Sequence, residues 1–209
     1  MMTHPALAAL QILVPVLLAG GWALHAHRLY RRLNRVRRDP ITGLYTRDGW
    51  SRAARRIIAR HDRAVVVLGD LDSLKRANDR HGHAAGDALI AASAERLADW
   101  CGTSGVAGRL GGDEFVAVLP DDQDLEQRLG ELARLLAQPV VHQGVKLPAG
   151  ASLGAARLAD LDTPTLSDAL AAADAAMYQA KGRGRRGRRL LAVGRRLAAP
   201  IAERFRLAA

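Results

Sequence analysis

The chain contains little cysteine, few aromatic residues and, at its two ends, almost no acid. Its single cysteine, Cys101, excludes an intrachain disulfide framework, which fits a reducing compartment. Aromatic residues make up 4% of the 209 residues, so a core must be built mainly from Ala, Leu and Val. The hydrophobic share of 49% and the charged share of 25% exclude wholesale disorder. At roughly 150 residues per domain, the length indicates one domain with extensions.

The net charge of +10 is concentrated at the ends of the chain. Residues 25–38 contain six arginines and no acid, and residues 181–209 contain ten basic residues and one glutamate. The middle of the chain, residues 39–180, has more acidic than basic residues. A basic chain often binds nucleic acid, but an acidic middle argues against it, and no specific nucleic acid partner is expected.

The longest apolar run, residues 5–24, contains no charged residue and is long enough to cross a bilayer as a helix. The arginine-rich segment follows directly, and the positive-inside rule places that flank in the cytoplasm. A cleaved signal peptide would carry its positive charge before the run, and a buried core helix is the other alternative. We predict an anchor over residues 1–24, a basic juxtamembrane stalk over 25–38, and single-pass localisation in the inner membrane with the remainder cytoplasmic.

Hydrophobic periodicity predicts helices and strands that alternate through the middle of the chain. Helices are expected over residues 46–60, 86–100, 123–137 and 165–181, and strands over 64–69, 106–110, 115–119, 139–142 and 145–157. The strands on either side of residues 111–114 are close enough to form a β-hairpin. A hairpin among alternating elements argues against a purely parallel sheet and favours an α+β sandwich of ferredoxin-like type.

Carboxylates occur at the ends of two predicted strands. Asp70 and Asp72 follow the valine-rich strand, and Asp113 and Glu114 lie in the hairpin turn. If the strands are neighbours, Asp70 and Asp113 converge at one edge of the sheet, where their charges repel unless a cation joins them. Mg²⁺ prefers such hard oxygen ligands and also binds substrate phosphates. An ordinary acidic turn is the simpler alternative, and the turn alone does not exclude it.

Six segments together carry a more specific pattern. They are DPITGL at 39–44, GDLDSLKRAND at 69–79, GHAAGD at 82–87, GGDEF at 111–115, SLG at 152–154, and ADAAMYQAK at 173–181 followed by Gly184-Arg185. In order and spacing they resemble the motifs of the GGDEF family, the diguanylate cyclase domains of bacteria. Leu74 stands where the family usually has phenylalanine. The resemblance covers about residues 39–193.

This resemblance implies a fold, a reaction and an assembly. The fold is a ferredoxin-like nucleotidyl-cyclase (palm-type) sandwich over residues 39–193. The reaction condenses two GTP into cyclic di-GMP with release of pyrophosphate, using two Mg²⁺ (or Mn²⁺) ions per active site. Each domain holds one GTP, so two domains must face each other as a homodimer.

The resemblance also assigns roles by position. Asp70, Asp113 and the Leu71 carbonyl would be metal ligands, and Asp113 would help to deprotonate the attacking ribose 3′-hydroxyl. Glu114 would support the metals. The guanine edge would be read by two residues, Asn78 and Asp87. The remaining GTP-binding positions are Lys75, Gly111, Gly112, Lys181 and Arg185.

One departure concerns regulation. Many relatives carry an RxxD motif upstream of the signature, where the product binds and inhibits. This chain has Gly102 and Gly105 at the matching positions, so it lacks the arginine fork that grips phosphate. We therefore expect no allosteric product site. Arg109 is retained, with salt bridging and simple solvation as its open roles.

Two questions stay open at this point. Residues 194–209 interleave arginines with apolar residues, which predicts either an amphipathic helix on the anionic inner leaflet or a solvated tail. The alternative to an active cyclase is a catalytically weak domain that binds GTP or a partner as a scaffold. A third alternative is a related cyclase that accepts adenine, against which Asp87 argues because a carboxylate suits the guanine edge.

Overall fold

The computed structural model describes residues 14, 17–25, 28, 37–61, 63–72, 74–121, 124–162, 164–184 and 191–194, the last four and 182–184 by their backbone alone. The chain divides into two compact units, Met1–Arg37 and Arg38–Ala209. In the first unit residues 17–25 are helical. No helix within the described ranges is long and apolar enough to cross a membrane. More than half of the predicted span, residues 5–24, lies outside those ranges.

The second unit contains eight described strands and five described α-helices. The strands are β1 (Tyr45–Thr46), β2 (Ala64–Leu71), β3 (Val106–Gly111), β4 (Glu114–Pro120), β5 (Val140–His142), β6 (Val145–Leu147), β7 (Ala151–Arg157) and β8 (Leu191–Gly194). The helices are α1 (Arg47–Ile58), α2 (Leu74–His81), α3 (His83–Cys101), α4 (Leu125–Leu136) and α5 (Leu166–Gly184).

Six strands form one central sheet in the order β1-β3-β4-β2-β7-β8, and β5 pairs with β6 separately. The central strand β2 is antiparallel to both of its neighbours, β4 and β7. The edge strands β1 and β8 are parallel to β3 and β7. The predicted hairpin is β3–β4, and the mixed α+β class predicted from the alternation of elements is confirmed.

Helices cover both faces of the sheet because β2 is apolar on both of its sides. Val65 and Val67 face a cluster formed with α3 and α4, whereas Val66 and Leu68 face a cluster formed with α1 and α5. All four side chains are at most 2% exposed, and burial of each contributes roughly 1.5–3 kcal/mol. This double burial explains why the strand reads in the sequence as a continuous apolar run.

The structure differs from the sequence-based expectation at several elements, including the short strand β1, which was not predicted. Three of these differences have a clear local cause. Helix α2 was not predicted, because it is short and buries only Ala77. Helix α3 begins at His83, earlier than expected, after Gly82 at a φ of 82°. The single strand expected over 145–157 is divided into β6 and β7 around Pro148, since proline lacks the N–H that a strand ladder needs.

Cys101 lies in the core at 3% exposure, where it is a small packing residue. Burial raises the pKa of its thiol to about 12. Because the thiolate is the reactive form of cysteine, this side chain is chemically inert near neutral pH.

Ser93 of α3 is 1% exposed, and its hydroxyl has no hydrogen-bond partner among the described atoms. We expect Ser93→Ala to raise the free energy of unfolding by about 1 kcal/mol, since an unpaired buried hydroxyl costs roughly 1–3 kcal/mol. Chemical denaturation measures this change. Ser51→Ala is the matched control, because the Ser51 hydroxyl donates to the Arg47 carbonyl oxygen at 2.8 Å. Stabilisation by both variants, or by neither, would contradict the assignment.

Candidate active site at the carboxyl end of β2

The β3–β4 hairpin turns at Gly112 and Asp113, with a bulge between Arg109 and Gly111. Gly111 has a φ of 146° and Gly112 a φ of 53°, both in the region that disfavours residues with a Cβ. Nothing lies within 4 Å of a Cβ built on either glycine. The backbone conformation, rather than close packing, therefore requires these two glycines.

The hairpin turn meets the end of β2 through main-chain contacts. Asp70 is in register with Glu114 of β4 and with Ser152 of β7. The Leu71 amide donates a hydrogen bond to the Asp113 carbonyl oxygen at 3.2 Å. Asp70, Asp113 and Glu114 are each partly buried. The structure thus brings the predicted carboxylates together at one edge of the sheet.

Asp70 is paired with a cation from the far end of the unit's sequence. The Nζ atom of Lys181, on α5, lies 2.8 Å from Asp70 Oδ2. Burial raises the pKa of Asp70; the hydrogen bond and charge of Lys181 lower it in part, and the charges of Asp113 and Asp72 raise it further. The pKa of Asp70 is raised overall, and the charges of Asp113 and Asp72 beside it make this edge of the sheet favourable for a bound positive charge.

Within the described ranges, no group of three or more His, Cys, Asp or Glu side chains could hold a metal ion. Mg²⁺ does not require such a group, because one or two carboxylates hold it together with water and substrate phosphates. The adjacent Asp70 and Asp113 are such a pair, and the ammonium of Lys181 already balances one of them. This donor set fits a divalent cation that arrives with a phosphorylated substrate.

Asp72 serves a different purpose from Asp70. Its Oδ1 atom accepts a hydrogen bond from the Ser152 hydroxyl at 2.7 Å, and its amide donates to the Gly150 carbonyl oxygen at 3.1 Å. These contacts tie the end of β2 to the start of β7. Asp72 therefore fixes the sheet edge on which Asp70 lies.

A second group of predicted site residues lies on the α2–α3 helix pair. The amide of Asn78, on α2, packs against Gly86 of α3, where a Cβ would overlap Asn78 Oδ1. That oxygen is buried without a hydrogen-bond partner among the described atoms. Asp87 follows Gly86 directly, and both Asp87 and Lys75 are exposed. Asn78 and Asp87 are thus held on adjacent helices, and Gly86 makes their approach possible.

Arg109 connects the hairpin turn to the beginning of the unit. Its Nε and Nη2 atoms donate to the Gly112 carbonyl oxygen at 3.0 and 2.8 Å, and its Nη1 atom donates to Asp39 Oδ1 and Oδ2 at 3.1 and 3.2 Å. Burial alone would raise the pKa of Asp39, but hydrogen bonds from Thr42 and Arg109 outweigh it and lower that pKa. Of the two roles left open for Arg109, the structure shows the salt bridge.

The family model described as "Diguanylate cyclase, GGDEF domain" matches residues 36–187. The chain belongs to the GGDEF family. Its described fold agrees with that family: a crystal structure of a sensory box/GGDEF family protein from Caulobacter crescentus matches with a TM-score of 0.64 and 38% identity, covering 71% of this chain and 99% of that one.

Two relatives differ in how much of their own length matches this chain. An uncharacterized 19.3 kDa protein of Streptomyces ambofaciens is 56% identical over 85% of this chain and 94% of its own length. A Pseudomonas aeruginosa protein named bifunctional diguanylate cyclase/cyclic di-GMP phosphodiesterase MucR is 34% identical over 71% of this chain and 22% of its own. The GGDEF chain thus spans nearly all of the first relative and about a fifth of the second.

The positions that replace RxxD in this GGDEF domain form the end of α3. Gly102 caps the helix with a φ of 59°, which favours glycine. A Cβ at Gly105 would lie 3.0 Å from the Cys101 carbonyl oxygen. Both glycines therefore suit the tight exit from α3. Of the predicted phosphate-binding pair, Lys181 lies at the site and Arg185 falls outside the described residues.

Proposed function

We propose that this GGDEF protein is a diguanylate cyclase that condenses two GTP into cyclic di-GMP and releases two pyrophosphates for second-messenger signalling. The observation that carries the proposal is the juxtaposition of Asp70 and Asp113 beside a glycine turn and Lys181. Relatives named diguanylate cyclases, such as MucR, support it. If the helix pair α2–α3 is counted as one unit and the separate β5–β6 hairpin is left out, the elements from β2 to β7 follow a strand–helix–strand–strand–helix–strand order. This order fits a ferredoxin-like, palm-type cyclase.

Asp70 and Asp113, with the Leu71 carbonyl oxygen, would hold Mg²⁺ (or Mn²⁺). Two such ions would supply Lewis-acid activation of the ribose 3′-hydroxyl and charge neutralisation of the leaving pyrophosphate. The Asp113 carboxylate accepts the hydroxyl proton, because it lies on the turn that meets β2. Glu114, in register with Asp70, supports this carboxylate pair.

The phosphates of GTP are bound by cations and by the hairpin backbone in this proposal. Lys181, which contacts Asp70 at 2.8 Å, would bind the triphosphate when a divalent ion balances that carboxylate. Lys75 and Arg185 supply further positive charge. Gly111 and Gly112 leave the turn without side chains, so the nucleotide can lie against the main chain.

Asn78 and Asp87 recognise the guanine edge. Guanine presents the N1–H and N2 amine donors, which adenine lacks, and a carboxylate such as that of Asp87 accepts both. Asn78, which packs against Gly86 on the same helix pair, would supply a further polar contact to the base. The Asp87 carboxylate facing these two donors would therefore select GTP over ATP.

The experiment that tests the proposal incubates the purified protein with GTP or ATP and Mg²⁺ and identifies the products by mass spectrometry. We expect cyclic di-GMP and pyrophosphate from GTP. Binding of GTP without turnover would overturn the proposal in favour of the scaffold alternative. Equal formation of a cyclic product from ATP would overturn the guanine assignment.

The selectivity assignment predicts that Asp87→Ser narrows the ratio of kcat/KM for GTP over ATP. Loss of a partner for a buried hydrogen-bonding group costs on the order of 1–3 kcal/mol, which corresponds to a ratio smaller by about fivefold to 150-fold. Steady-state kinetics with both nucleotides measure it. Asp99→Ser is the matched control, because Asp99 is an exposed carboxylate near the other end of the same helix. An unchanged ratio in Asp87→Ser would count against this role.

We further propose a membrane-anchored homodimer. Residues 5–24 support the anchor because they lack charge and precede the basic segment 25–38, which would place the GGDEF domain on the cytoplasmic side of the inner membrane. One GTP per domain cannot close the product ring alone, which supports the dimer. Residues 194–209 lie outside the described residues, and their two alternatives, leaflet binding and solvation, stay predictions.

A further inference from the structure

The turn that carries Asp113 follows a glycine pair, and the carbonyl oxygens of both turn residues, Gly112 and Asp113, accept hydrogen bonds. Glycine loses more conformational freedom on folding than any other residue, and Gly111 and Gly112 precede Asp113 directly. The Gly112 carbonyl oxygen accepts two hydrogen bonds from Arg109, and the Asp113 carbonyl oxygen accepts one from the Leu71 amide. The direction of the Asp113 carboxylate therefore depends on these contacts.

The guanidinium of Arg109 is itself held in place. The Arg109 and Asp39 side chains are only 9% and 17% exposed, respectively. Asp39 Oδ1 also accepts from the Thr42 amide at 2.9 Å and the Thr42 hydroxyl at 2.7 Å. The Asp39 backbone exchanges hydrogen bonds with Gly43 and Leu44, both at 2.8 Å. The Asp39 carboxylate is thus a fixed anchor rather than a mobile surface charge.

Only an arginine can make this bridge. The planar guanidinium presents donors on two sides, so it reaches the Gly112 carbonyl oxygen and both Asp39 oxygens at once, whereas a lysine ammonium is a single point charge. Hydrogen bonds that involve charged groups are also about twice as strong as neutral ones. The Arg109 contacts therefore restrain the turn more than an ordinary side chain would.

We propose that Arg109 is a positioning residue, held by Asp39, that fixes the Gly112–Asp113 turn so that the Asp113 carboxylate meets the substrate in its reactive orientation. This inference rests on the proposed cyclase function. Arg109 binds no substrate in the proposal and acts through Asp113. Its removal therefore lowers kcat and leaves the KM for GTP nearly unchanged.

The kinetic test compares Arg109→Gln, Arg109→Lys and Asp39→Asn. We expect kcat to fall about a hundredfold in Arg109→Gln, because a displacement of about 1 Å can cost on the order of 10² in rate. Arg109→Lys should restore little of this loss, and Asp39→Asn should lose less, since it keeps the Arg109–Gly112 contact. The KM for GTP should change by less than about threefold.

The matched control is Arg157→Gln. Arg157 Nε donates to Asp121 Oδ2 at 2.9 Å in a partly buried pair at the opposite end of β2. Arg157→Gln should lower the denaturation midpoint at least as much as Arg109→Gln does, and it should leave kcat unchanged. A kcat that falls in proportion to stability in both variants would overturn the proposal, and so would a wild-type kcat in Arg109→Gln.

A second measurement does not depend on catalysis. Amide hydrogen exchange at Leu71, whose N–H bonds the Asp113 carbonyl oxygen, reports on the turn in the nucleotide-free protein. We expect faster exchange at Leu71 in Arg109→Gln but not in Arg157→Gln, and unchanged exchange at Val66 and Val67 in the middle of β2. Unchanged exchange at Leu71 would overturn the proposal. If wild-type protein makes no cyclic di-GMP, the proposed function fails, while this measurement still decides whether Arg109 orders the turn.

Discussion

Asp113→Ala is expected to reduce the formation of cyclic di-GMP by about three orders of magnitude, because it removes a proposed metal ligand together with a general base, and a general base alone contributes typically 10²–10⁴ in rate. The fold should persist. Asp113 lies in the hairpin turn outside the core clusters, and its main-chain bond to Leu71 does not involve the side chain.

Single-turnover and steady-state assays with GTP and Mg²⁺ measure this loss, and thermal denaturation checks the fold. Asp99→Ala, which removes an exposed carboxylate of α3, is the control and should leave turnover unchanged. Near-normal turnover in Asp113→Ala would show that the carboxylates at the end of β2 are not the reaction centre.

Dilution is expected to reduce the specific activity of the compact unit Arg38–Ala209 almost in proportion to its concentration. Each domain binds one GTP in the proposed reaction, so two domains must meet before the ring can close. Below the dissociation constant of the dimer, the dimeric fraction rises with concentration, and a hundredfold range should give up to about a hundredfold change. Because Gly102 and Gly105 stand where many relatives carry RxxD, we expect no product inhibition through that site, and in this proposal the encounter of two domains controls the activity.

A rescue experiment makes this prediction sharper. A strongly dimerising coiled coil in place of residues 1–37 should restore activity at low concentration, since tethering raises the effective concentration of the second domain. The same coiled coil with a monomerising substitution is the control. Constant specific activity across the dilution range, in a protein that sediments as a monomer throughout, would exclude the requirement for a dimer.

Much of the fold could be predicted because its signals are local. The apolar run of β2 identifies a buried strand, since both faces of that strand are covered. Helix α2 gave no such signal, because a single buried residue sets no periodicity. Leu74, which stands where the family usually has phenylalanine, is partly buried and packs against the core. The replacement therefore exchanges one apolar packing residue for another.

The sequence by itself determined the chemistry available to this protein. The glycines at 111 and 112 specify a turn conformation that residues with a Cβ disfavour. Asp70 directly follows one predicted strand, and Asp113 lies in the turn between two others. Only the tertiary structure decided how these groups are held. Lys181 forms an ion pair with Asp70, and Arg109 donates hydrogen bonds to both the Asp39 carboxylate and the Gly112 carbonyl oxygen. The reason is physical: local patterns encode the conformation of a segment, whereas contacts between distant segments depend on sheet order and helix packing, which no single segment carries.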